Sequence, residues 1–284
     1  MIEHLSTTRV APGTFLGWTI LSLCLSLSIT FNTWAATFAI GETGSLNLSG
    51  EIRPGDAERA VQTILAIAPI ARNIYLLPQT LTINSSGGEI SEAIRIASLV
   101  KAAHMDVQVL SRGRGVCASS CFLVYLAGQE RNASGIDTIK REGANNTLGP
   151  VGVHRPYFQT TVGGPGATKK QEDLMATMTV FLQQARVPQN LIDKMMSSPS
   201  NDIYWLNSEE LQLLGAYTPG VEEELIAKCN YSAKRQRQMN AREYISDSEN
   251  GVQACVRKYM QNTYGPIRDM VFERMRAGWR PWNG

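Results

Sequence analysis

Short apolar runs alternate with amphipathic segments through the first half of the chain. Apolar positions at every second residue predict a strand over 44–52, and apolar positions at helical spacing predict a helix over 57–71. The alternation continues with strands over 81–83 and 107–110 and with helices over 89–103 and 119–127. Strands that alternate with helices in this way are typical of an α/β fold with parallel strands.

The second half of the chain is less regular. The polar stretch over 132–148 predicts a loop or an irregular hairpin, and a short apolar strand follows over 151–154. Further helices are predicted over 169–185, 188–196 and 208–214. Beyond them, residues 221–284 are polar with a helical pattern, so we expect a domain over 37–220 followed by a helical C-terminal extension.

The first 36 residues have the order of a secretory signal peptide. No charged side chain occurs from Val10 to Gly41, and small residues follow the apolar stretch over 14–31. We therefore expect export, with the periplasm as the compartment. The alternative is an uncleaved inner-membrane anchor, because about 18 apolar residues can just span a bilayer.

Composition and charge add few constraints. The 284 residues are 43% hydrophobic and carry a net charge of +2, so nothing points to nucleic acid as a partner. We expect a peptide or protein substrate, leave a homo-oligomer open, and expect membrane contact only if the N-terminal segment stays uncleaved.

Four cysteines remain once the signal peptide is removed, an even number that is compatible with disulfides in an exported protein. Cys229 and Cys255 lie in successive helical segments, so a helical hairpin would bring them together, and we predict a disulfide between them. Cys117 and Cys121 are interpreted as small apolar residues packed under a helix, with a disulfide as the alternative.

Two segments carry candidate chemistry. Asn84-Ser85-Ser86-Gly87-Gly88 lies between a strand and a helix, where paired glycines let backbone N–H groups approach a ligand. Ser119 lies where a glycine loop leads into an apolar helix, so its hydroxyl could be a nucleophile or only a helix cap. A tight turn that needs glycine is the simpler interpretation of the first segment.

A nucleophilic serine needs a base, and histidine is the usual one. Beyond the signal peptide the chain has only His104, at a predicted helix end, and His154, at a predicted strand end. Either histidine could be structural.

In combination, these motifs resemble the Clp protease proteolytic subunit, a member of the Clp protease/crotonase superfamily. The turn over 84–88 resembles that family's Asn-Ser-Pro-Gly-Gly turn, with Ser86 in place of the proline. Residues 118–128 resemble its serine motif without a gap, and Val151 to Pro156 resembles its strand that ends in His-Gln-Pro. The resemblance covers about 45–218, with all motifs in order.

The resemblance implies a crotonase-type α/β core of repeated strand–strand–helix units, and it implies roles. Ser119 would attack an acyl carbon and His154 would accept its proton, while N–H groups of Gly87 or Gly88 and of Ser120 would hold the oxyanion. No cofactor or metal is expected at such a site.

Asp202 is the nearest candidate for the third member of the triad. Ungapped counting from Glu209 puts Ile203 at the family's position, so Asp202 requires a shift of one residue, and Asp193 is a more distant alternative. A serine–lysine dyad, as in the signal-peptide peptidases of the superfamily, would have to use Lys140 or the Lys169-Lys170 pair, none of which lies in a recognisable motif.

Some features depart from the Clp subunit. The two cysteines around the serine are not a feature of that family. With them, the serine motif resembles that of an exported, uncharacterised bacterial branch of the superfamily. We therefore expect a periplasmic serine peptidase or acyl hydrolase, with a catalytically silent scaffold that binds peptides or a protein as the alternative. Coenzyme A chemistry is disfavoured outside the cytoplasm.

Overall fold

The computed structural model describes residues 35–42, 44–67, 78–110, 115–134, 148–157 and 165–283. The predicted signal peptide lies outside the described residues except for Ala35 and Ala36. No helix in the described part of the chain is both long and apolar enough to cross a membrane.

Eight strands form two sheets within these residues. In chain order they are β1 (Thr37–Ile40), β2 (Leu46–Ser49), β3 (Thr80–Asn84), β4 (Asp106–Leu110), β5 (Cys117–Ala118), β6 (Arg131–Ser134), β7 (Leu148–Val153) and β8 (Tyr204–Asn207). The larger sheet has the order β1-β2-β3-β4-β6, and it is parallel except for β1. In the smaller sheet, of order β5-β7-β8, β5 is parallel to β7 and β8 is antiparallel to it.

Ten helices are described in the same ranges. They are α1 (Asp56–Ile67), α2 (Ile90–Ala102), α3 (Cys121–Ala127), α4 (Pro165–Gln184), α5 (Gln189–Ser197), α6 (Ser208–Leu213), α7 (Pro219–Cys229), α8 (Ala233–Gln238), α9 (Ala241–Asn250) and α10 (Val252–Arg276). The α/β class and the helical C-terminal extension predicted from the sequence are confirmed.

The core lies between the parallel strands and helices α1, α2 and α3. Its fully buried side chains are mostly aliphatic residues of these elements, such as Ile64, Ile83 and Leu126. Every residue of α3 is buried, which explains why its sequence is apolar on all sides.

The C-terminal extension also contributes to this core. Phe272 and Met275 of α10 are buried in the main cluster. Arg268 donates hydrogen bonds to the carbonyl groups of Ala103 and His104 at the end of α2. These groups have no partner inside α2, so Arg268 caps that helix from a distant part of the chain.

Some elements differ from the prediction. Residues 132–148 were predicted as a loop or irregular hairpin, but the first three belong to β6 and the last, Leu148, begins β7. The predicted helix over 119–127 begins only at Cys121. Strand β5 has two residues, too few for a period of two to be visible.

Candidate active site

Three segments of chain meet at one edge of the smaller sheet. The turn after β3 is joined to β5 by a parallel bridge between Ser85 and Cys117, and β5 is in turn parallel to β7. Ser119 and His154 therefore follow two strands that are parallel neighbours, and Gly87 lies in the turn that is bridged to the first of them. Since parallel strands present their carboxyl ends at the same edge, the glycine turn, the bend at Ser119 and the strand end at His154 all lie at this edge.

The register places Ser119 next to the strand of His154. Ala118 pairs with Gly152, and the N–H of Ser119 donates to the carbonyl oxygen of Gly152 at 2.9 Å. His154 is two residues further along that strand. Neighbouring strands lie about 4.8 Å apart, so the backbones of β5 and β7 reach this edge side by side.

Ser119 has a left-handed backbone conformation, with φ of 57°. A non-glycine residue in this region costs roughly 1–3 kcal/mol, which the surrounding structure must offset. The helix N-cap is Ser120, whose hydroxyl makes no capping hydrogen bond. The interpretation of Ser119 as a helix cap is therefore not supported, and its side chain stands on a sharp turn from strand to helix, as nucleophilic serines of several hydrolases do.

A disulfide links Cys117 and Cys121, one on each side of this bend. Both residues are completely buried. The interpretation of this pair as free packed thiols was wrong, because the bend brings the two Cα atoms to 5.3 Å, within the range that a disulfide bridges. The sulfurs still pack in the core, so the apolar environment expected for them is present.

The two glycines of the predicted oxyanion turn have different surroundings. A Cβ atom on Gly87 would lie 2.7 Å from Cβ of Ser119 and 3.0 Å from the nitrogen of Ser120. A Cβ atom on Gly88 would instead lie 2.1 Å from the carbonyl oxygen of Ile52. The lack of a side chain at Gly87 thus lets the turn approach the bend at Ser119. The lack of a side chain at Gly88 lets the turn approach the backbone of Ile52.

The N–H groups near the bend also differ. Gly87 donates its N–H to Oγ of Ser85 at 3.1 Å. Ile52 binds the residues on either side of Gly88, accepting from Glu89 and donating to the carbonyl of Gly87, so the N–H of Gly88 points to the other side. In the described part of the chain, neither the N–H of Gly88 nor that of Ser120 has a hydrogen-bond partner.

His154 is buried, with 8% of its surface exposed, and its Nδ1 atom lies 2.8 Å from the carbonyl oxygen of Arg155. Asp202 is exposed, and within the described residues no hydrogen bond joins its carboxylate to His154. Asp193 is also exposed and accepts a hydrogen bond from Gln189. Neither aspartate is brought to the histidine as the third member of a triad would be.

The alternative bases lie elsewhere. Lys169 and Lys170 are exposed on α4, and Lys140 lies outside the described residues. His104 stacks on Tyr264 of α10 at a centroid distance of 4.6 Å. Burial and the nearby Arg268 lower the pKa of His104.

One polar cluster beside the site was not predicted. The hydroxyl of Tyr204 on β8 lies 2.8 Å from a carboxylate oxygen of Glu210 and 3.0 Å from Nζ of Lys194, and Lys194 also pairs with Glu210. These contacts hold β8 against α5, and β8 pairs with β7 where Tyr204 faces Val153, directly before His154. Of its residues, the sequence indicated only Glu210, as one of two glutamates at the start of the helix that became α6.

The sequence matches one protein-family model over part of the chain. Residues 35–137 match the model of the Clp protease family. Among solved structures, ClpP1 from Listeria monocytogenes matches with a TM-score of 0.40 and 19% identity, over 62% of this chain and 89% of that one. No curated protein matches the sequence significantly.

The family match has a limited reach within the site. It includes the turn at Gly87 and Gly88 and the bend at Ser119, and it ends before His154 and Asp202. The roles of the histidine and of its partner therefore depend on the geometry described above.

Proposed function

We propose that this chain, a ClpP-like protein, is an acyl hydrolase that cleaves peptide bonds with Ser119 as nucleophile and His154 as general base. The observation that carries the proposal is the left-handed Ser119 on a strand-to-helix turn, held between the glycine turn and the strand of His154. Strained backbone at a polar residue next to a histidine is typical of a catalytic centre.

The geometry supports a sequence of steps. Oγ of Ser119 attacks the acyl carbon while Nε2 of His154 accepts the hydroxyl proton. The N–H groups of Ser120 and Gly88, which have no partner among the described residues, are available for the oxyanion of the tetrahedral intermediate. His154 then returns the proton to the leaving amine, and water repeats the cycle on the acyl-enzyme.

We further propose that the protein acts on peptides or proteins in the periplasm, after export by the N-terminal segment. The two disulfides support an oxidising compartment, since such bonds are rare in the cytosol. Assembly into a homo-oligomer is part of the same proposal, with the family match as its support.

A fluorophosphonate probe tests the chemistry on the purified protein. We expect the wild type to be labelled at Ser119, the S119A variant to remain unlabelled, and H154Q to be labelled about 10²–10⁴ times more slowly, because a general base contributes that much. S98A is the matched control, since Ser98 lies on α2 and its hydroxyl donates to the carbonyl of Ile94 in the same helix. A folded wild type that is not labelled would refute the hydrolase and favour the silent scaffold.

A further inference from the structure

The ring of His154 is held by the main chain of its own neighbour. Nδ1 lies 2.8 Å from the carbonyl oxygen of Arg155. A carbonyl oxygen can only accept, so Nδ1 must carry the proton of this hydrogen bond. In the neutral imidazole the lone pair is then on Nε2, the atom that a general base needs free.

The carbonyl group of Arg155 is itself fixed in direction. The residue before a proline is confined to extended conformations, and Pro156 imposes this on Arg155. The N–H of Arg155 donates to the carbonyl of Ser198 at the end of α5, at 3.1 Å. Both constraints act on the backbone, and the Arg155 side chain is exposed.

The position beside His154 on the neighbouring strand is not occupied by a carboxylate. Val153 pairs with Tyr204 as the last pair of the antiparallel register, and His154 and Ile203 are the next residues beyond it on the two strands. Ile203 packs against β7, since a Cβ on Gly152 would lie 2.4 Å from its Cγ2. Asp202 is one step further on, in a turn closed by its N–H and the carbonyl of Pro199.

We propose that the carbonyl group of Arg155, fixed by Pro156, replaces the carboxylate of the usual triad and sets the tautomer of His154. The inference rests on the proposed function, because it assigns how the base of that site is positioned. Arg155 acts through the histidine, by its backbone, and Pro156 acts through Arg155. Asp202 has no part in the site.

The tautomer can be measured without any activity. In ¹⁵N spectra of the full-length protein, an unprotonated ring nitrogen resonates far from a protonated one, and the H154Q variant identifies the signals of His154. We expect a protonated Nδ1 and an unprotonated Nε2, both in the wild type and in D202N. A wild type with the proton on Nε2, or a tautomer that changes in D202N, would overturn the proposal.

Labelling rates supply the second measurement. An aspartate that orients the histidine is worth about 10⁴-fold in rate, so D202N distinguishes the two arrangements clearly. We expect D202N to be labelled as fast as D173N, a matched change of an exposed aspartate on α4. P156A should be slower than both and should show a mixture of tautomers, because only the hydrogen bond of the Arg155 N–H to Ser198 then restrains the Arg155 carbonyl.

The two proposals fail in different ways. If no variant is labelled but Nδ1 carries the proton, the hydrolase is refuted and the positioning stands. If the wild type is labelled and D202N loses about 10⁴-fold, the hydrolase stands and the backbone positioning is refuted.

Discussion

Cys117 and Cys121 are joined by a disulfide that spans the left-handed Ser119. Cys117 belongs to β5, whose neighbours are the glycine turn and β7, and Cys121 is the first residue of α3. The bond therefore connects the strand before the bend to the helix after it. Few arrangements of the residues between them are compatible with so short a loop, which opposes relaxation of Ser119 from its strained conformation.

We expect the C117A/C121A variant to be labelled by the fluorophosphonate probe more slowly than the wild type. Relaxation of a strain of roughly 1–3 kcal/mol would lower the population of the reactive bend by about 5- to 150-fold. Labelling rates with and without reductant measure the effect. C229A/C255A is the control for a general effect of reduction, and equal rates in C117A/C121A and wild type would leave packing as the only role of the pair.

Much of the fold was predictable because its elements are long and periodic. Helix α2 begins and ends within one residue of its predicted range, and α1 begins within one residue of its predicted start. Strands β3 and β4 coincide with apolar runs. Strand β5 could not be predicted, because two residues are too few to show a period. The left-handed conformation of Ser119 could not be predicted either, because a serine does not indicate a positive φ. Both depend on the contact with β7.

The candidate site was predicted in part for the same reason. Ser119, His154 and the glycines stand in motifs, and motifs are visible in a sequence. The partner of the histidine is a main-chain carbonyl, which every residue has, so its role depends on backbone direction alone. The capping of α2 by Arg268 could not be predicted either, because Arg268 is 165 and 164 residues away in sequence from the Ala103 and His104 carbonyls that it binds.

Gly87 and Gly88 should respond differently to alanine. Both have positive φ, 90° and 144°, so each change costs stability. G88A also forces a Cβ onto the carbonyl oxygen of Ile52, at 2.1 Å, and we expect its main effect to be a lower melting temperature. G87A forces its Cβ onto the carbonyl oxygen of Ala118, at 2.5 Å, and onto Ser119, so any folded G87A should be labelled much more slowly.

The measurement is a thermal melt combined with the labelling rate of the fraction that remains folded. G44A is a suitable control, because Gly44 has a φ of 77° but nothing within 4 Å of an added Cβ. If folded G87A is labelled as fast as G44A, the close approach of the glycine turn has no role in the reaction.

The disulfide between Cys229 and Cys255 should stabilise the extension. It joins the end of α7 to the beginning of α10, with the Cα atoms 5.6 Å apart and a sequence separation of 26. Closing a loop of this size is worth about 3 kcal/mol. We expect C229A/C255A to lose stability of that order in urea unfolding, with labelling at Ser119 retained in the folded protein. An unchanged unfolding midpoint would contradict this.

The last prediction concerns a half-buried pair of carboxylates at the beginning of the neighbouring strands β4 and β6. Glu130 follows α3 and pairs with Tyr217, and its N–H donates to Oδ1 of Asp106 at 3.2 Å. Burial, and then the charge of Asp106, raise the pKa of Glu130 to about 7, while the Tyr217 hydroxyl opposes the rise. Burial raises the pKa of Asp106 to about 6, against the opposing effects of the Glu130 N–H and of Arg268.

The sign follows from proton binding. Between the ordinary pKa of a glutamate, 4.5, and about 7, the folded protein holds a proton on Glu130 that the unfolded chain has released. The stability that this group contributes is therefore full below pH 4.5 and is lost as the pH rises towards 7.

We expect E130Q to gain melting temperature relative to the wild type as the pH rises from about 5 to 8. His104 titrates in both proteins, so the comparison removes its contribution. E209Q changes an exposed carboxylate on α6 and should keep the pH dependence of the wild type; the same dependence in E130Q would show that Glu130 does not release its proton in this range.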